Sequence, residues 1–169
     1  MMCRRSNIRV KSFLKFIFVS LLELVNITFV IITTDLGVIS GRDSIYVDEL
    51  NFITINEVEL KGKINGSLCS KQIKETFIEY TLLFKDLYYF CKIELDVSYG
   101  IISDEITRSS NLIELFETEL LKKIKTLRGI NLRHFIICTY DDVFEVACKE
   151  FILNIGRTHT EYQEVPNIP

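Results

Sequence analysis

Residues 111 to 129 read NLIELFETELLKKIKTLRG, and the fold turns on whether this stretch is one helix. Ile113, Phe116, Leu120, Ile124 and Leu127 recur at three- and four-residue intervals, the spacing of a buried helical stripe. The ends agree with a helix over Leu112 to Leu127: Asn111 can cap it, Glu114 can complete a capping box, and Gly129 suits the left-handed position beyond the last turn. Glu114, Glu117 and Glu119 fill the first half, and Lys122, Lys123, Lys125 and Arg128 the second, which complements the macrodipole. Glu119 can pair with Lys123 one turn on. The stretch therefore predicts one long amphipathic helix, whose apolar side is ordinary core rather than a cofactor site.

The sequence on either side of it is strand-like. Upstream, Phe77 to Val97 is aromatic and β-branched with one break at Lys85-Asp86, and predicts two antiparallel strands. In the second, Leu87, Tyr89, Cys91, Ile93, Leu95 and Val97 share one face while Lys92, Glu94 and Asp96 share the other, the period-two signature of a sheet with one wet side. That puts Cys91 in the core. Glu57 to Ile64 alternates charged and apolar residues, and Asn65-Gly66 predicts a type I′ turn after it. Downstream, Leu132 to Leu153 reads as a hairpin with Asp141 and Asp142 as its loop, so that Phe135, Ile137 and Thr139 oppose Cys148, Val146 and Phe144. Cys138 and Cys148 then lie on opposite faces and cannot bridge.

The expected fold is α+β, a mostly antiparallel sheet packed against one long amphipathic helix. A chain of 169 residues with 48% hydrophobic and 25% charged residues can bury a real core as one domain. We place that domain at residues 35 to 155, clearest from Glu57 to Ile155, followed by a polar tail at 156 to 169. The two prolines, Pro166 and Pro169, both fall in that tail, and no internal linker or repeat is visible.

Residues 1 to 34 leave two readings open. Arg4, Arg5, Arg9, Lys11 and Lys15 precede Phe16 to Thr34, nineteen mostly apolar residues interrupted by Glu23 and Asn26. A basic flank and an apolar run of that length match a membrane anchor through residues 12 to 34, since a bilayer core is about 30 Å thick. Against it, a carboxylate such as Glu23 at mid-span costs roughly 2.5 to 3.5 kcal/mol, and no signal-peptide cleavage site follows. The other reading is a core helix from Val10 to Leu24 and a strand from Ile27 to Thr33, closed by a turn at Thr34-Asp35-Leu36-Gly37. It implies a cytoplasmic protein with reduced thiols. The anchored reading instead allows oxidised cysteines and use of the sequons at Asn26 and Asn65.

Chemistry is sparse. There is no glycine-rich phosphate loop, Gly-x-Ser-x-Gly elbow, His-Glu-x-x-His or calcium loop. The two histidines, His134 and His159, cannot make a histidine-rich metal centre. Cys3, Cys69, Cys91, Cys138 and Cys148 lack metal or redox spacing and read as structural thiols. His134 with Cys138 or Cys148 could form a nucleophile pair, but no spacing enforces contact. Asp141 and Asp142 suit a hairpin turn better than acid–base work. The aromatic run from Phe77 to Phe90 lacks the interleaved cations of a nucleic-acid platform. We expect no catalytic, cofactor or metal residue; an enzyme with dispersed site residues is the remaining alternative.

Charge points to a protein partner. Beyond the first fifteen residues the chain holds 15 basic against 23 acidic residues, a net of −8, which repels nucleic acid and favours a basic partner. Glu57, Glu59, Glu94, Asp96, Asp141 and Asp142 are the candidate contacts. The stretch from His134-Phe135 through Asp141-Asp142-Val143-Phe144-Glu145-Val146-Ala147 resembles a terminal hairpin of small uncharacterised bacterial proteins, some of them similar to immunity proteins of toxin systems. That resemblance implies a non-catalytic binding module that neutralises a basic toxin domain.

Overall fold

The computed structural model describes residues 28 to 156, apart from Gln72 and Gly100. They build a seven-stranded, wholly antiparallel sheet. The strands are β1 (Thr28–Ile31), β2 (Ile45–Thr54), β3 (Glu57–Asn65), β4 (Phe77–Glu94), β5 (Leu112–Phe116), β6 (Arg133–Cys138) and β7 (Asp142–Ile155). Three short helices lie between them: α1 (Leu95–Ser98), α2 (Asp104–Ser109) and α3 (Glu119–Arg128). In space the strands run β1-β5-β6-β7-β4-β3-β2.

The predicted long helix is not there, and this corrects the expected fold class. Leu112 to Phe116 is strand β5, bonded on one side to β1 and on the other to β6. Glu117 takes a positive φ of 55°, which ends the strand, and Thr118 rather than Asn111 caps the helix, its Oγ1 accepting from the Leu121 N–H at 3.3 Å. Asn111 instead donates its side-chain N–H to the Cys138 carbonyl at 2.7 Å. α3 keeps the predicted end, with Gly129 at φ 70°, but none of its residues is buried, and Leu127 is 69% exposed. The five residues of β5 satisfy both periodicities, and two partner strands decide between them.

The two predicted strands between Phe77 and Val97 are one 18-residue strand. Asp86, at φ 51°, and a register shift between Leu87 and Tyr89 make a bulge where the break was expected. Below the bulge β4 pairs with β3; along nearly its whole length it pairs with β7. β7 in turn pairs with β6 only as far as Cys148. The two long strands are thus shared by two smaller sheets offset along them. Leu95 and Val97, read from the sequence as strand, lie in α1.

The inner faces enclose the main core: Val58, Leu60 and Ile64 of β3, Leu82 and Phe84 of β4, Phe135 and Ile137 of β6, and Phe144, Val146 and Cys148 of β7. Phe135 stacks on Phe151 at 4.5 Å and meets Phe84 at 6.4 Å. A second cluster on the opposite face joins Ile113, Leu115, Ile136, Cys138 and Val143 to Leu95 of α1 and Ile106 of α2. β6 is therefore buried on both sides, which its near-continuous apolar run FIIC requires.

Turns differ from expectation in detail. Asn65-Gly66 opens a 3-10 turn, with Asn65 Oδ1 accepting from the Ser67 N–H, and β4 returns only at Phe77. In the β6–β7 hairpin, Phe135 faces Val146 and Ile137 faces Phe144, a two-residue slip from the predicted register. Because side chains alternate, an even slip leaves every residue on its expected face, and Cys138 and Cys148 do lie in different clusters. At Gly62 a Cβ would run into the Tyr46 carbonyl oxygen of β2, so this close approach needs glycine.

Of the residues read as a possible anchor, 1 to 27 lie outside the described residues, and Thr28–Ile31 is strand β1. Among the described residues no helix is long and apolar enough to cross a membrane. Of the polar tail at 156 to 169, the residues beyond Gly156 also lie outside the described residues.

Candidate protein-binding surface

The six acids chosen from sequence separate into two groups. Glu57 and Glu59 stay on β3, opposite Lys85 and Leu83 of β4, and Glu59 is taken by Lys61 at 2.8 Å. The other four gather where β4 ends and β7 begins: Glu94 is the register partner of Asp142, and the Leu95 N–H donates to the Asp141 carbonyl at 2.7 Å, with Asp96 next in α1.

The turn that presents them is held by Thr139. Its Oγ1 donates to the Asp142 carbonyl at 2.7 Å and accepts from the Asp142 N–H at 3.1 Å. The Tyr140 N–H reaches the Ile45 carbonyl of β2 at 2.8 Å. The aspartate side chains, expected to bond their own backbone, are therefore free to point elsewhere. Asp142 meets Lys92 at 2.9 Å, and Asp96 meets Arg42 at 3.7 Å. Glu94 and Asp141 are exposed, and neither has an ion pair among the described residues.

Apolar surface adjoins these carboxylates. Tyr140 stacks on Tyr46 at 5.2 Å and carries the Arg42 guanidinium 5.7 Å from its ring centre. Just after Asp96 the chain exposes Val97, Tyr99 and Ile101, each more than half accessible (54%, 55% and 63%). The acids were legible in the sequence, but these apolar neighbours were not, because Val97 was assigned to a buried strand face and Tyr99 and Ile101 carried no pattern. A second exposed apolar group, Phe52, Ile53 and Ile55, sits at the β2–β3 tip near Glu57, with Phe52 against Phe90 at 5.7 Å.

A buried polar network lies apart from this corner. His134, 2% exposed, places Nδ1 2.9 Å from Thr118 Oγ1 and Nε2 3.0 Å from Glu145 Oε1. The Tyr89 hydroxyl donates to Glu145 Oε2 at 3.1 Å. Nε2, facing a carboxylate, donates to Glu145, while Thr118 Oγ1, which also accepts from the Leu121 N–H, can bond Nδ1 as donor or as acceptor. The hydrogen bond from His134 holds the Glu145 carboxyl below its usual pKa against the opposing effect of burial, with the His134 charge and Tyr89 adding to the lowering. Burial, then Glu145, raises the Tyr89 phenol. Thr118 at the start of α3, His134 of β6 and Glu145 of β7 are joined in series, and the arrangement fastens α3 to β6 and β7. Residues 89, 118, 134 and 145 have no local spacing that sequence reading could find.

The thiol chemistry considered from sequence has no support in the geometry. Burial pushes Cys138 up to about 12, and Cys148 likewise to about 12 despite Arg133, so neither is a thiolate near neutrality. Cys91 is half-buried rather than core. Among the described residues no cluster of three or more histidine, cysteine or acidic side chains could hold a metal ion.

No protein-family model, no curated protein and no solved structure matches the chain.

Proposed function

We propose that the chain is a non-catalytic protein-binding module whose acidic corner receives a basic partner, in the manner of an immunity protein that neutralises a basic toxin domain. The observation that carries this reading is that Glu94 and Asp141, two exposed carboxylates without an intrachain ion pair among the described residues, meet at the start of α1, from which the chain goes on to expose Val97, Tyr99 and Ile101. Apolar surface bounded by charge is the usual anatomy of a specific interface: the centre supplies affinity and the rim steers encounter. The acidic excess of the chain acts in the same direction.

The test is affinity capture from the source cells with full-length protein, in parallel with the Glu94→Lys, Asp141→Lys double variant, followed by kinetics on the captured partner. Reversing both rim charges should slow association by at least about tenfold at low salt and remove most of its salt dependence. A captured partner whose association is unchanged would sink the electrostatic reading. A partner that turns over when incubated with the chain would sink the non-catalytic one.

A further inference from the structure

The sheet ends in strands of unequal length. At one edge β1 offers four residues; at the other β2 offers ten, Ile45–Thr54. β2 pairs with β3 alone, so among the described residues no strand bonds to its outer side, where alternate residues turn their N–H and carbonyl groups outward. The strand starts against the acidic corner, since the Ile45 carbonyl accepts from the Tyr140 N–H at 2.8 Å and Tyr46 stacks on Tyr140. Edges of this length are normally guarded by lysine, proline or a covering segment. β2 contains neither lysine nor proline, and both of its charges are negative. Asp48 and Glu49 are exposed, and neither has an ion pair among the described residues. A register shift between Val47 and Glu49 leaves Asp48 without a partner in β3. On β3 the charges cancel, Glu57 and Glu59 against Lys61 and Lys63, and Glu59 holds Lys61 at 2.8 Å. Further along the edge Phe52 and Ile53 are 62% and 53% exposed.

We propose that this edge receives an extended, lysine- or arginine-bearing segment of the partner, which joins the sheet as a further strand beside β2. The proposal rests on the reading of the partner as basic and gives its mode of attachment. A strand laid about 4.8 Å from β2 sets its side chains directly opposite those of β2. Cations then meet Asp48 and Glu49, apolar residues meet Phe52 and Ile53, and the backbone ladder supplies affinity that does not depend on sequence. The same acids oppose the obvious competitor, a second copy of this chain, because joining two β2 edges brings together two acidic strands with no cation on either. Through the Ile45–Tyr140 contact the line of β2 leads to Asp141, so a segment running along the edge ends at the acidic corner.

The test is binding and hydrogen exchange of the full-length protein with a short acetylated peptide of alternating lysine and valine. At low salt the peptide should bind and slow exchange of amides between Tyr46 and Phe52 at least about fivefold, and a glutamate–valine peptide should do neither. Methylating the lysine N–H groups in one version and the valine N–H groups in another should weaken one at least about tenfold more than the other, because only alternate N–H groups face the neighbouring strand. Asp48→Lys with Glu49→Lys should weaken the unmethylated lysine peptide at least about tenfold. If that variant loses the protection of β6 and β7, Asp48→Asn with Glu49→Gln takes its place. A lysine peptide that does not bind overturns the proposal, as does binding that protects no β2 amide or that both methylated versions share equally. The basic-partner reading is judged separately, on the captured protein and the Glu94→Lys, Asp141→Lys variant. A captured partner that responds to those two charges but is indifferent to Asp48 and Glu49 removes strand addition alone.

Discussion

Replacing Glu145 should reveal how firmly α3 is tied to the sheet. The carboxylate accepts from His134 at 3.0 Å and from Tyr89 at 3.1 Å, and its side chain is 25% exposed. Glu145→Ala leaves both donors without an acceptor. Each stranded donor costs about 1 to 3 kcal/mol, and because Tyr89 is only half-buried and can recruit water, we expect a total of about 2 to 4 kcal/mol. Glu145→Gln keeps one acceptor but turns an amide N–H toward a donor, for an expected loss of about 1 to 2 kcal/mol. The two variants also separate on pH. The folded-state pKa of Glu145 is lowered, so its contribution is complete above the unfolded-state value of about 4.3 and is lost as pH falls through the folded value. Urea unfolding of the three proteins between pH 7 and pH 3 measures both effects. Stability of the unmodified protein should fall more steeply below pH 4.5 than that of Glu145→Gln. An Ala variant within about 0.5 kcal/mol of the parent, or equal slopes in acid, would refute the network as a structural tie.

Other substitutions discriminate between the helix expected from sequence and the one observed. Leu127→Lys should change unfolding free energy by no more than about 0.5 kcal/mol, as at an ordinary surface site; a core position would cost several times that. Gly62→Ala should destabilise by about 1 to 3 kcal/mol in the same urea assay, because the added methyl must displace the β2 backbone. Cys138 and Cys148 should stay unreactive toward a thiol reagent at pH 8 in native protein and react on unfolding, in keeping with thiols raised to about 12.

The strands were readable where one face is wet and the other dry. β3 carries alternation so regular that its faces follow from it directly, whereas in the upper part of β4 the bulge between Leu87 and Tyr89 breaks the face those two residues were expected to share and leaves Cys91 half-buried. The β6–β7 hairpin survived a misplaced turn because parity, not loop length, decides which side is buried. What could not be read was set at a distance. Asn111 and Glu114 satisfy a capping box on paper, yet Asn111 is drawn to the Cys138 carbonyl, and Glu114 accepts both Arg133 contacts, from Nε at 2.8 Å and Nη2 at 2.6 Å. Those partners lie nineteen or more positions away along the chain, beyond any local pattern. The same holds for the surface: charge could be counted from composition, but the union of Glu94 with Asp141 needed the β4–β7 pairing, and the exposed Val97 and Tyr99 needed α1 to end the strand.

The placement of β7 also bears on how the chain acquires its structure. It is the last described strand to be synthesised, yet it lies between β6 and β4, so no earlier segment can join the two halves of the sheet. Until it arrives, β4 and β6 each present an unpaired edge flanked by apolar side chains. Pairings that span this much sequence close slowly, and open edges of this kind recruit neighbouring chains. Nascent chains stalled before Asp142 should therefore be held by chaperones or lost to aggregation, and release of the final strand is the step that makes the fold cooperative.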